Sequence, residues 1–439
     1  MTAEVTQIKT AAESALASAF AANKARLPGG PQTASAREEA FRQFERRGLP
    51  HRRIEEWKYT DLRALMREAK PLAPAPDAAA REAARQAGTV VGSVSAHRLV
   101  FVDGAFVPEY SSGGELAGVT ITPLAELLAR NDAFSALSSG PQGTDAALAL
   151  NTALMTDGAM ISVAAEVAVD RPIHLAFIHT GGATAAYTRS QVLVGAGAQV
   201  TLIETHEGQQ DTDYQVNTAI GLSIGERAQV NRIKIAGEGN KALHIASLIA
   251  DVGESAQLRD FVATLGGGVT RNQLFVTCSG RNSNVTLAGA NLLRGREHAD
   301  TTLVLDHAVG GCVSREIFKS VLDDESRGVF QGKIVVRPNA QKTDARMLAR
   351  ALLLSEDAEA DSKPELEIFA DDVQCGHGAT IGALDEALKF YLMSRGIPDK
   401  EAEALLIQAF IGEAVETIVH DGIRDALMAA TVKWLGGRR

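Results

Sequence analysis

The sequence predicts a mainly β protein: a β-helix core with helical segments at both ends. Three observations carry this. First, short runs rich in Val, Ile, Leu and Thr, such as 191–194, 200–203 and 230–235, are bounded by Gly or charged turn residues. Amphipathic stretches of helical length do not separate most of them, which disfavours a doubly wound fold, whose parallel strands need crossover helices. Second, Gly197-Ala198-Gln199-Val200 returns as Arg227-Ala228-Gln229-Val230, as Ser255-Ala256-Gln257-Leu258 and, in echo, as Asn282-Ser283-Asn284-Val285. The apolar ends fall at 200, 230, 258 and 285, in steps of 30, 28 and 27 residues. Third, the helix-forming stretches are confined to the two ends of the chain.

A repeat of this length without a helix in each unit is met by coils of strand laid on one another, so that apolar positions form a continuous column. A β-sandwich with irregular hairpins is the runner-up, but it would not return one tetrapeptide at a near-constant step. Ser326-Arg327-Gly328-Val329, 44 residues beyond Asn282, reads as the same motif two coils of about 22 residues later.

The elements divide into an N-terminal helical region with linker over 1–88, the β-helix core over 89–380 and a C-terminal helical region over 381–439. Residues 4–26 favour helix and are stopped by Pro28-Gly29-Gly30-Pro31. A second helix runs from Ala36 to Arg47 and ends at Gly48-Leu49-Pro50. Trp57 and Tyr59, in an aromatic-poor chain, read as a packing anchor. The Pro- and Ala-rich stretch 71–80 reads as a solvated linker. At the other end, Ile381–Arg395 is helical by its Leu384, Leu388, Tyr391 and Leu392 spacing. Gly396-Ile397-Pro398 breaks it, and Asp399 is placed to cap a helix over Lys400–His420. Leu405, Leu406, Ala409, Phe410, Ala414 and Ile418 form that helix's apolar stripe, free in part to cap the open β-helix end or to receive a partner.

The net charge of −10 argues against nucleic acid, which calls for clustered Lys and Arg. No apolar run approaches the roughly 20 residues of a bilayer span. Three scattered cysteines make no disulfide framework and fit a reducing cytoplasm.

Chemistry concentrates in 366–380. Cys375 and His377 lie two apart on an extended run, so they share a face about 7 Å apart. A thiolate with an imidazole suits zinc, ferrous iron or an iron–sulfur unit. Two ligands do not close a structural site. The pair is therefore either a buried Cys beside a turn His or half of a site that a second chain completes. Asp306-His307, Cys312 and Arg315 form a second group, but His and Cys sit five apart across Gly310-Gly311 and need not converge. They read as structural, and Cys278, at the end of an apolar strand, as core. There is no phosphate loop, no nucleophile elbow and no zinc helix. Residues 237–242 fit G-x-G-x-x-A but precede a strand and read as a turn. A β-helical polysaccharide lyase is the alternative, weakened because Asp371 and Asp372 are adjacent and would face opposite ways.

The segments Asp306-His307, Ser314-Arg315-Glu316, 327–333, 340–345, 363–368 and 370–380, with Gly48-Leu49-Pro50 and 56–60, together resemble the SufB/SufD family of iron–sulfur cluster assembly proteins. Lys342 and the Gly-Ala-Thr after His377 side with the SufD branch. The resemblance implies a right-handed parallel β-helix acting as a scaffold and not as an enzyme. It implies pairing with SufB along the β-helix, binding of the SufC ATPase through the C-terminal helices, and a homodimer as an option when the chain is alone. It also implies that Cys375 and His377 face the SufB interface. There they take part in iron uptake or hold a transient, shared cluster, with no cofactor held tightly by the isolated chain. A purely structural relative, in which Cys375 and His377 are silent, is the third reading.

Overall fold

The computed structural model describes residues 9–85, 87, 90–130, 137 and 145–437. From Ala159 to Gly382 the chain winds as a parallel β-solenoid, alternating between two facing sheets of ten and nine strands. Most coils carry two strands of nine or ten residues. They are longer and fewer than the several short strands per repeat that the sequence suggested.

The recurring tetrapeptide is the tight corner between the sheets. Its first residue takes positive φ (Gly197 68°, Arg227 59°, Ser255 54°, Asn282 59°), which turns the chain sharply. Its second residue, Ala198, Ala228, Ala256 or Ser283, is small and fully buried inside the bend. Its fourth residue opens the apolar column, and Val200, Val230, Leu258 and Val285 stand directly on one another. The reading of 326–329 as this motif is corrected. Val329 pairs with Asp300 in the nine-stranded sheet, whereas Val285 belongs to the ten-stranded sheet. The 44-residue step is one and a half coils, not two.

The two ends of the solenoid differ. At the N-terminal end both sheets finish in short antiparallel strands, Ala105–Phe106 on His97–Val102 and Val119–Pro123 on Ala159–Val163. Such short edges, one of them ending in Pro123, offer little to a further strand. At the C-terminal end the sheets stop at Glu359–Ile368 and Gln374–Gly382, each paired on one side only.

The helical segments pack on the flanks. Helices Ala11–Asn23 and Pro31–Arg47 stack Phe20 on Phe41, with ring centroids 4.3 Å apart. Trp57 is buried and covers the Arg271 guanidinium at 3.8 Å, while Arg271 also pairs with Asp300. The expected anchor is thus a cation–π contact over a buried ion pair. The 71–80 stretch is not a free linker: Leu72 bridges to Ala185, and Ala78–Arg85 is helical. The C-terminal region holds three helices, Glu386–Ser394, Asp399–Val415 and Asp421–Gly436, the last not foreseen. Residue 381 belongs to a strand, and Asp399 starts its helix instead of capping it. The buried stripe is Ala402, Ile407, Ile411, Ala414 and Val415, with Leu405 exposed. It packs with Ile233, Ile235, Phe261, Val321 and Leu352 of the ten-stranded sheet, so these helices cover a flank and not the open end.

The interior is not uniformly apolar. Arg232 lies between Glu204 at 2.9 Å and Asp260 at 2.7 Å, all buried, and Lys234 donates to Asn272 across the core at 2.8 Å. Further along, burial pushes the Glu316 carboxyl up to about 8.

Trp57→Ala should destabilise the chain by about 3–5 kcal/mol in denaturant unfolding, because it leaves a cavity over a buried guanidinium. Glu316 binds its proton more tightly folded than unfolded, so its contribution is full below the ordinary carboxyl range and lost as pH rises towards 8. Glu316→Gln should therefore flatten the fall in Tm between pH 5 and 8 relative to the parent chain.

Candidate functional site

The segment 366–380 is divided between the two sheets. Glu359–Ile368 ends the nine-stranded sheet, and after a short turn Gln374–Gly382 ends the ten-stranded one. Cys375 stands on Ala345 and His377 on Met347. Both of those partners are buried members of the main core, so Cys375 and His377 continue inward-facing columns at the coil where those columns come to an end. Cys375 is half-buried against the core, and His377 is exposed. The pair therefore lies on one face of the last strand and is not sealed inside.

Partial burial raises the Cys375 thiol, and the Asp344 and Glu316 carboxylates push the same way, against a hydrogen bond from the Ala345 backbone. A metal bound there would have to displace a proton. Gln374 donates its N–H to the Thr343 carbonyl of the preceding coil. Backbone groups alternate sides along a strand, so the N–H groups of Cys375, His377 and Ala379 face the open edge.

The two edges are built differently. The nine-stranded edge carries Glu359, Asp361, Lys363, Glu365 and Glu367, with Pro364 at its centre. Charge and proline both deter strand addition. The ten-stranded edge, QCGHGATIG, has neither. Phe369 before that strand, Ile381 within it and Leu388, Phe390, Tyr391 and Met393 just after it are all exposed, and the helix Glu386–Ser394 buries none of its residues. Large apolar side chains left exposed in this number suit contact with a partner.

The second sequence group behaves otherwise. Asp306 turns outward to Arg337 at 2.9 Å, and Arg315 pairs with Asp344 at 2.8 Å. His307 and Cys312 do converge, with Cys278 beside them, and all three are buried. The register brings them together, and the linear spacing gave no sign of it. A further inward group was not foreseen. His244 Nδ1 and the Tyr214 hydroxyl hold Glu238, at 2.8 Å and 2.5 Å, while His206 Nε2 is held by Glu204 at 2.8 Å. Burial lowers both imidazoles, against the Glu204 and Glu238 carboxylates that raise them. The turn reading of 237–242 stands, since that segment joins Gln229–Gly237 to Leu243–Val252. Asp372 sits in a turn bound to Lys342, so Asp371 and Asp372 do not form an opposed pair of carboxylates. Among the described residues no helix is long and apolar enough to cross a membrane.

The family model described as "SUF system FeS cluster assembly, SufBD core domain" matches residues 177–410, and that of the "SufBD protein N-terminal region" matches 13–175. The chain is similar to an iron-sulfur cluster assembly SufBD family protein of Synechocystis, 34% identical over 385 residues that cover 84% of each chain. It is similar to the iron-sulfur cluster assembly protein SufD of Escherichia coli, 31% identical over 412 residues, 93% of this chain and 94% of that one. The chain belongs to the SufBD family of the SUF system and takes part in iron–sulfur cluster assembly.

Proposed function

We propose that the chain is the scaffold half of a two-solenoid assembly site, with no turnover of its own. Its uncharged last edge strand receives a SufB-type partner, and Cys375 and His377 supply one side of a shared site for incoming iron and the nascent cluster. The single observation that supports this most is that the thiol and imidazole share one face of the strand whose free N–H groups would pair with the partner. Strand addition would bring a second chain's donors within reach and complete a ligand set that two residues leave open. The cluster is cargo, transient and shared between the chains.

The C-terminal helices are the natural seat for a SufC-type ATPase. Asp399–Val415 is rooted in the solenoid flank, while Glu386–Ser394 leaves Leu388, Phe390 and Tyr391 outward. A movement of these helices would be felt at the neighbouring edge strand, because only 383–385 join the two. Three free thiols suit work in a reducing cytoplasm.

His377→Ala and Cys375→Ser should each lower iron and sulfide recovered from the reconstituted complex several-fold while co-purification with the SufB- and SufC-type partners is retained. Undiminished cluster yield in both variants would remove the ligand role. Ala379→Pro should abolish partner pairing in size-exclusion chromatography with little change in Tm, because it deletes an edge N–H and no ladder bond. Retained pairing would place the docking surface elsewhere.

A further inference from the structure

Inward columns of the solenoid keep their character over many coils, so a local break in several of them at once is informative. The last inward position of the nine-stranded sheet reads Val194, Ile224, Val252, Cys278, His307, Val336 in successive coils. Just past the tight corner the next position reads Ala198, Ala228, Ala256, Ser283, Cys312, Thr343. The position after that reads Val200, Val230, Leu258, Val285, Ser314, Ala345. Within two adjoining coils, three apolar columns change to soft or polar donors facing a common point.

The donors meet. One ligand atom from each of Cys278, His307 and Cys312 lies within 4.8 Å of the others, and all three side chains are fully buried. His307 is oriented by Ser314, whose hydroxyl is 3.1 Å from Nε2, and its buried Nδ1 has no hydrogen-bond partner. Ser283 Oγ donates to Cys312 Sγ at 3.2 Å. An outer hydroxyl that fixes the ring and another that supports the sulfur are what a metal site needs around its ligands. The neighbouring turn that holds Ser279, Arg281 and Asn282 is exposed, and its Gly280 carbonyl accepts from Cys312 Sγ at 3.5 Å.

The geometry points to a buried Cys2His site for a thiophilic divalent ion, Zn2+ or Fe2+, formed by Cys278, His307 and Cys312. Two sulfurs and a nitrogen exclude Mg2+ and Ca2+, which want oxygen, and leave a fourth tetrahedral position for an exogenous donor. On binding, the ion takes both sulfurs as thiolates, and any proton they still carry goes to solvent. The site is two coils from the strand of Cys375 and His377, and it stands independently of the role proposed for them.

The test uses the full chain carrying Cys375→Ser, reduced, metal-free and anaerobic, titrated with Co2+. One Co2+ per chain should give a thiolate-to-cobalt charge-transfer band with tetrahedral visible bands, bleached by Zn2+. A parallel titration with Fe2+ decides which ion competes better. Cys312→Ser should weaken the charge-transfer band by roughly half, and His307→Ala should weaken binding by at least roughly tenfold. If these variants fail to fold, alkylation mapped on the Cys375→Ser chain serves instead, with Zn2+ expected to protect Cys278 and Cys312. Three outcomes would overturn the proposal: no binding, Co2+ bound without a thiolate band (as at His206, Glu238 and His244), or a Cys278–Cys312 disulfide in the anaerobically prepared chain.

Discussion

Everything in this molecule depends on parallel, in-register stacking of coils. Each strand satisfies its backbone only through the coil before it and the coil after it. Side chains are therefore sorted into columns, and a residue's neighbours are those about 29 positions away, as with Cys278 and His307. The same rule dictates that where winding stops, a full row of backbone donors and acceptors is left without a mate. The candidate site lies at that row, and the buried sulfur–nitrogen group lies where adjacent columns change chemistry together.

Much of this was legible in the chain itself. The tetrapeptide at 197, 227, 255 and 282 revealed the coil because it answers three local demands at once: a left-handed residue, a small buried one and an apolar column member. It failed at 326–329, where a similar string serves the opposite corner. Cys375 and His377 were legible as a same-face pair because strand period alone fixes that relation. The gathering of Cys278, His307 and Cys312 was not, because it follows from register between coils.

Polarity alone does not tell the inward face of a strand when both of its faces are covered. In Val230-Asn231-Arg232-Ile233-Lys234-Ile235, alternation suggests charges outward and isoleucines inward. The opposite holds. Arg232 and Lys234 point between the sheets, and Ile233 and Ile235 lie under the C-terminal helices. Burying Arg232 is tolerable because two carboxylates flank it, and removing either would strand a charge in the interior. The C-terminal stripe slipped for a related reason: the helix Asp399–Val415 turns Ile407 and Ile411 to the sheet and leaves Leu405 to solvent.

The contrast between the stoppered N-terminal end and the bare C-terminal one has a consequence for assembly size. A rod with two sticky ends polymerises, whereas a rod with one can only meet another rod face to face. In the pairing proposed above, two such open ends would use up each other's free strand. The product would be a closed pair, limited by topology and protected from growing into a fibre.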